Sequence, residues 1–233
     1  MTYVMSDLHG HYQKYLKMLE TIRFTDDDDL FILGDAVDRG PQPAELLQDM
    51  SMRTNVFPLM GNHDLTAAIL LRKLNVMITN ENCENQLGEE IMKHLLMWQM
   101  DGGQTTIDSF RRLSAEDRTA LLEYMEEFAA YETLTIGDNR FILVHGGIPY
   151  DKRGLPLSKQ SVGELITERP DYSRRYYRNT YLVTGHPPTF HIGKEYSGRI
   201  YRKLGHIAID CGAGFNMPLG CIRLDDFREF YVE

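Results

Sequence analysis

The chain has 233 residues and a formal net charge of -9, with 42% hydrophobic, 25% charged and 10% aromatic residues. That balance excludes a disordered or fibrous chain, and an acidic chain with no dense Lys/Arg stripe is not built to neutralise the phosphates of a nucleic acid. No stretch approaches the ~20 apolar residues that cross a bilayer, so neither nucleic acid nor membrane is expected as a partner.

Residues 2–5 read as a short strand. Residues 11–22 follow with Tyr15, Leu16, Met18, Leu19 and Ile22 at helical spacing. The acidic run from Asp26 to Asp29 reads as a solvated turn before a second strand at 30–33, whose unbroken Leu-Phe-Ile-Leu suits burial on both faces. Residues 43–52 are predicted as a helix with Pro43 in its first turn, 56–60 as a third strand and 65–74 as a third helix. From 84 to 131 the pattern is largely helical. Ser114 with Asp117 predicts an N-terminal cap, Leu121, Leu122, Met125 and Phe128 line one face, and Asp101-Gly102-Gly103 breaks the run. Strands are predicted thereafter at 133–136, 141–144, 181–184, 207–210, 220–224 and 229–232, with a hairpin turn through Gly137-Asp138-Asn139.

Strand–helix alternation in the first half predicts parallel strands covered by helices, an α/β class. The length, with no linker in view, predicts one domain over 1–233. Cys83, Cys211 and Cys221 show neither CxxC spacing nor an even framework, so they read as buried small hydrophobes in a reducing compartment. The first chemical motif begins at Ser6 and leaves no room for a signal peptide, so a cytoplasmic location is expected. The sequence leaves the oligomeric state open.

The chemistry gathers where strands end. The first strand runs into Ser6-Asp7-Leu8-His9-Gly10, the second into Gly34-Asp35-Ala36-Val37-Asp38-Arg39-Gly40, and the third into Gly61-Asn62-His63-Asp64. Two later strands run into His145-Gly146-Gly147 and Gly185-His186-Pro187. Five strand ends thus carry glycine beside Asp, Asn or His, and in an open α/β sheet those ends form the ligand crevice. Carboxylate oxygen with imidazole nitrogen suits Mn, Fe or Zn, whereas an all-oxygen set suits Mg or Ca. Asp35 is the natural bridge between two cations. Such a pair, roughly 3.5–4 Å apart, clamps an in-line displacement and acidifies a bridging water to give a hydroxide nucleophile.

These motifs, in this order, resemble the calcineurin-like metallophosphoesterases, and among them the compact bacterial and phage members of the PPP-type serine/threonine phosphatases. The resemblance spans nearly the whole chain and implies a central β-sandwich of two mixed sheets flanked by helices, an α/β (α+β) fold. It implies two divalent metal ions, Mn first with Fe or Zn as alternatives. Asp7, His9 and Asp35 would hold one, and Asp35, Asn62, His145 and His186 the other. His63 resembles the general acid and Asp38 its orienting partner. Arg39 would grip the substrate phosphate, with Asn62 and a further arginine, for which Arg174 is the nearest motif match against Arg175 and Arg178. Residues 98–106 resemble an insert of the bacterial members and read equally as a helix-breaking turn or a substrate loop. Asp64 neighbours the site without ligating, Asp210 is structural, and His11, His94, His191 and His206 are expected at the solvent or the core edge.

The resemblance implies a serine/threonine, or dual-specificity, protein phosphatase acting on a phosphorylated protein. The alternatives are a dinucleoside polyphosphate hydrolase and a phosphomonoesterase for a small phosphoester. Asp38, where dinucleoside hydrolases tend to carry Ala, favours the first. A silent metal-binding scaffold would lack His63, Asp38 or a ligand, and none is lost.

Overall fold

Leu30, Phe31, Ile32 and Leu33 are each at most 7% exposed, so this strand is covered on both faces, and the rest of the architecture follows from what covers it. The computed structural model describes residues 1–75 and 88–233. Cys83 and the start of the helical stretch expected from 84 lie outside the described residues.

In chain order the elements are β1 (Thr2–Met5), α1 (Tyr12–Ile22), β2 (Asp29–Leu33), α2 (Pro43–Met52), β3 (Val56–Leu59) and α3 (Asn62–Leu74). Then come α4 (Glu89–Trp98), a π-helical turn (Gln99–Gly103), α5 (Gln104–Arg111), α6 (Ala115–Glu126), β4 (Tyr131–Ile136) and β5 (Asn139–Val144). The chain continues through α7 (Val162–Thr167), β6 (Thr180–Thr184), β7 (Tyr201–Lys203), β8 (His206–Ala208), β9 (Leu219–Arg223) and β10 (Arg228–Val232), with short 3₁₀ turns between.

The strands form two mixed five-stranded sheets, ordered β10-β9-β1-β2-β3 and β4-β5-β6-β8-β7. In the first, β1, β2 and β3 are parallel; in the second, β5, β6 and β8 are parallel. Alternate side chains divide the labour. Val4, Phe31, Leu33 and Ile222 pack with Phe141, Leu143, Val183 and Ile207 as the layer between the sheets. Tyr3, Met5, Leu30 and Ile32 face the other way, into a core shared with α1, α2 and α3. Val144 and Leu182 meet Leu165 of α7 and Tyr176 on the far side of the second sheet. The fold is a β-sandwich flanked by helices, as expected.

Several local readings change. The third helix begins at Asn62 rather than 65, because Gly61 serves as its N-cap and Asp64 accepts the Gly61 N–H; Asn62 and His63 therefore sit in its first turn. The strand at 207–210 shifts to His206–Ala208 and leaves Asp210 in a loop. Strand β7 and helix α7 were not foreseen, being three and six residues long. Asp28 is not solvated: it is 8% exposed and accepts from the Met1 ammonium at 2.9 Å and from Thr25. His206 is buried in the core, not at its edge. The Ser114 cap on Asp117 N–H, the break at Gly102 and the 136–141 hairpin are present as read. Cys211 and Cys221 are buried free thiols. Among the described residues no helix is long and apolar enough to cross a membrane.

Candidate active site

Parallel strands point their carboxyl ends the same way, so β1, β2 and β3 deliver their following loops to one edge, and β5 and β6 deliver theirs beside it. The loops are tight. Asp7, His9, Asp35, Asp38, Arg39 and His186 all have positive φ, a region that costs a non-glycine residue about 1–3 kcal/mol. Backbone pairing holds them there: Asp7 N–H donates to Gly34 O at 3.0 Å and His9 N–H to Asp35 O at 2.8 Å. The fully buried Asp64 carboxylate accepts from Asp35 N–H (2.7 Å), Ala36 N–H (2.9 Å) and Gly61 N–H (3.0 Å). It fastens two loops together and is not among the grouped ligands. Gly61 and Gly185 leave room where a Cβ would strike the Asp35 and Asp7 carboxylates.

Asp35 lies at the centre. Its Oδ2 is 3.7 Å from His9 Nε2 and its Oδ1 3.4 Å from His145 Nε2. Two groups of donors share it, His9–Asp35–His63 and Asp35–His145–His186, and within each group the ligand atoms lie within 4.8 Å of one another. Asn62 Oδ1 is 3.0 Å from His145 Nε2. Asp7 stands beside the second group, its Oδ2 accepting the His186 backbone N–H at 3.1 Å.

The two central histidines are oriented by main chain. His9 Nδ1 is 2.9 Å from Val37 O and His145 Nδ1 is 2.6 Å from Leu33 O. A carbonyl only accepts, so Nδ1 carries a hydrogen in both and Nε2 is the nitrogen turned toward Asp35, the orientation found behind metal-bound imidazoles. Burial alone would lift the Asp35 carboxyl, but His145, His63 and His9 around it hold it well below the usual carboxylate range. Burial opposes charging of His145, yet Asp35 and Asp7 push that ring up to about 10. Burial raises Asp7 to about 6, with Asp35 adding to it. The cluster thus draws positive charge to itself. A cation answers that demand by displacing the His145 proton, so the donor set fits a pair of divalent ions sharing Asp35.

Beside Asp35, His63 Nδ1 donates to Asp38 Oδ2 at 2.7 Å. Burial disfavours a charged His63, but the Asp38 hydrogen bond and the Asp35 and Asp38 charges outweigh it and raise the ring. Asp38 is fully buried and saturated by the segment 98–106. Trp98 Nε1–H donates to Oδ2 at 2.8 Å and Thr106 Oγ1 to Oδ1 at 2.6 Å. Arg39 N–H donates to Gly102 O at 3.0 Å, and Gly102, at φ 103°, passes so close that a Cβ would meet the Arg39 side chain. The segment is both a helix break and a brace on the Asp38-Arg39 pair. Trp98 and Thr106 were singled out only as its ends. The signal that marks them is the pair of side-chain donors flanking Gly-Gly.

The Arg39 guanidinium lies 2.8 Å from His9 Nε2 and 3.0 Å from His63 Nε2, in reach of Asp101 at 3.4 Å and over the Phe215 ring. The structure does not bring Arg174 to this cluster. That side chain pairs with Asp171 at 2.9 Å and stacks over Tyr150. Arg175 and Arg178 line a depression with Asp138, Asn139 and Thr180, at the opposite end of β6 from His186. Arg169, which the sequence reading did not single out, is the arginine whose charge reaches His186. Burial pushes the His186 ring down to about 4, and the charges of His145 and Arg169 act in the same direction. Its neighbour Pro170 packs on Gly147 in the loop after His145. No motif marks Arg169, because its place is set by that packing.

The pattern that defines the calcineurin-like phosphoesterases matches residues 2–211. The symmetrical bis(5'-nucleosyl)-tetraphosphatase of Wigglesworthia glossinidia brevipalpis is 29% identical over 98 residues, 41% of this chain and 36% of that one. The enzyme of the same name from Nitrosospira multiformis is 24% identical over 148 residues, 63% and 43% of the two chains. The chain therefore spans less than half the length of these relatives. A crystal structure provisionally assigned as a diadenosine tetraphosphatase aligns over 99% of this chain and 92% of its own, with a TM-score of 0.69 at 16% identity. A protein serine/threonine phosphatase from Saccharomyces cerevisiae aligns over 99% and 78%, with a TM-score of 0.57 at 15% identity.

Proposed function

The chain belongs to the calcineurin-like phosphoesterase family, and from that premise we propose that it is a metal-dependent hydrolase of dinucleoside polyphosphates. The observation that carries the substrate class is the similarity to symmetrical bis(5'-nucleosyl)-tetraphosphatases. The protein-phosphatase reading rested on Asp38, and its likeness among solved structures lies at 15% identity, which speaks to fold alone. Asp38 is compatible with either reading, since an oriented proton donor can assist the departure of a nucleoside diphosphate as well as of an alkoxide.

Two divalent ions, of the Mn, Fe or Zn kind that the mixed carboxylate–imidazole set suits, would be held by Asp35 with His9 and Asp7 on one side and Asn62, His145 and His186 on the other. When bound, they supply Lewis acidity and activate water. The chain's own residues do the rest. Arg39 presents a planar fork of donors to phosphate oxygens, and Arg169 adds charge from the His186 side. His63, its Nδ1–H held by Asp38 and its ring favoured in the protonated form, gives the Nε2 proton of the imidazolium to the oxygen of the departing nucleotide as the bond between phosphorus and that oxygen breaks. Water supplies the oxygen that replaces it and the proton that restores His63. Asp64 and Asp210, both buried, shape the loops.

The test is a competition assay in Mn-containing buffer. It offers diadenosine tetraphosphate, a phosphoserine peptide and a phosphotyrosine peptide at equal concentration. The tetraphosphate should be consumed first, with ADP as the nucleotide product. Preference for either peptide overturns the reading.

A further inference from the structure

A groove of about 470 Å³ opens beside His63, between α3 and α4. Its α3 wall is Asn62, Thr66, Ile69 and Leu70, residues spaced to share one helical face, and its α4 wall is His94, Met97 and Trp98. Ile69 and Met97 are 54% and 58% exposed, so two large apolar side chains flank open space next to a polar catalytic cluster. The inner end is the ring that hands its proton to the leaving oxygen. Whatever departs in the reaction starts from that ring.

We propose that this groove is the subsite for the leaving nucleoside, with Ile69 and Met97 flanking its base. The proposal rests on the dinucleoside reading for its choice of occupant. The charge pattern supports it. Among the described residues no lysine or arginine lines the groove, and Arg39 reaches only its inner end at His63 and Asp101, so the outer part suits an uncharged base and ribose while the phosphates stay on the metal and arginine side. The lining matches a planar heterocycle, apolar on its faces and polar at its edge: Ile69, Met97 and Leu70 offer apolar contact, and Thr66 and His94 offer hydrogen bonds. Asp101 at the rim is a pure acceptor, suited to ribose hydroxyls. An extended peptide would bring a row of backbone amides with few partners here. The reach also fits. From His63 to Ile69 the helix rises ~9 Å at 1.5 Å per residue, a gap that the two phosphates and the ribose of a departing nucleoside diphosphate can span. The volume lies within the ~300–1,000 Å³ that encloses small ligands.

Trp98 is the chain's only tryptophan and borders the groove, so its fluorescence reports occupancy without any turnover. Adenosine, which carries no phosphate, is titrated into the intact Mn-loaded protein with excitation at the red edge of the indole band. A saturable change that is lost in Ile69→Lys and Met97→Lys is expected. The ratio of kcat/KM for diadenosine tetraphosphate to that for inorganic tetraphosphate should fall about tenfold or more in both variants, as the loss of an apolar contact surface predicts. No change with adenosine, or an equal change in the variants, overturns the subsite even if the tetraphosphate is cleaved. Saturable adenosine binding in a protein that spares the tetraphosphate instead removes the dinucleoside activity and leaves the groove standing.

Discussion

The Trp98 indole donates to the same oxygen of Asp38 that receives His63 Nδ1, at 2.8 and 2.7 Å. One carboxylate oxygen thus ties His63 to a helix more than thirty residues further along the chain, and Thr106 closes the other oxygen.

Removing these supports should therefore weaken the acid without touching it. Trp98→Phe keeps the ring but drops the N–H, and should lower kcat about tenfold, the worth of one hydrogen bond to a charged group. Thr106→Val is close in shape but strands the Asp38 N–H and Oδ1, and should cost about 2–3 kcal/mol of stability as well. Steady-state kinetics with an aryl phosphate and denaturant unfolding check both. Unchanged kcat in Trp98→Phe means that Asp38 is held adequately by Thr106 alone.

His63 is grouped by distance with His9 and Asp35, so its role needs separating from ligation. His63→Asn should reduce turnover by about 10²–10⁴-fold, the usual worth of a proton donor, while Mn content stays near that of the parent. Loss of Mn in that variant would make His63 a ligand. Asp35→Asn should do the opposite and empty both positions, since each group depends on it.

Chelation should abolish hydrolysis, and added Mn should restore it. Binding to the folded state alone raises stability by RT ln(1 + [L]/Kd), about 2.7 kcal/mol at a hundredfold excess over Kd. Thermal unfolding should therefore move upward with Mn in the parent and stay flat in Asp35→Asn. Activity that survives chelation contradicts the two-ion site.

For the arginines, Arg39→Ala should raise KM and lower kcat together, because phosphate is gripped in ground and transition states alike. Arg169→Ala should raise KM for the tetraphosphate more than Arg174→Ala does, given that Arg174 is engaged by Asp171. The reverse order would restore Arg174 to the site.

His206 offers a pH test clear of the metal cluster. Burial outweighs its hydrogen bond to Arg174 O and the charge of Asp171, so its folded pKa is lowered from the ordinary 6.5. A lowered base stays neutral when folded and takes a proton once unfolded below about pH 6.5. Its contribution is full above that pH and is lost as pH falls. Stability of His206→Gln, measured by denaturant unfolding, should decline less steeply than that of the parent below pH 6.5.

The motif residues at five strand ends were legible because each is a short local pattern: glycine, a ligand, and a strand before it. Helix boundaries near the site were less so. The helix of His63 starts three residues early because Asp64 reaches its own N-cap, a contact that no periodicity records. The acidic run at 26–29 is a turn with Asp26, Asp27 and Asp29 exposed, as read, and only Asp28 departs from that reading, for a similar reason: the terminal ammonium pairs with it, a partner twenty-seven residues away.

By itself the sequence determined the ligand types, their order and the two-faced burial of the central strands, since alternation and turn chemistry act over a few residues. Only the tertiary structure decided which groups meet. It gathered Asp35, His145 and His186 from two different sheets, set the 98–106 segment on Asp38, paired Arg174 with Asp171 and brought the charge of Arg169 to bear on His186. Those choices depend on loops packed across long sequence separations, where a residue's neighbours are fixed by the folded sandwich and not by its own surroundings in the chain.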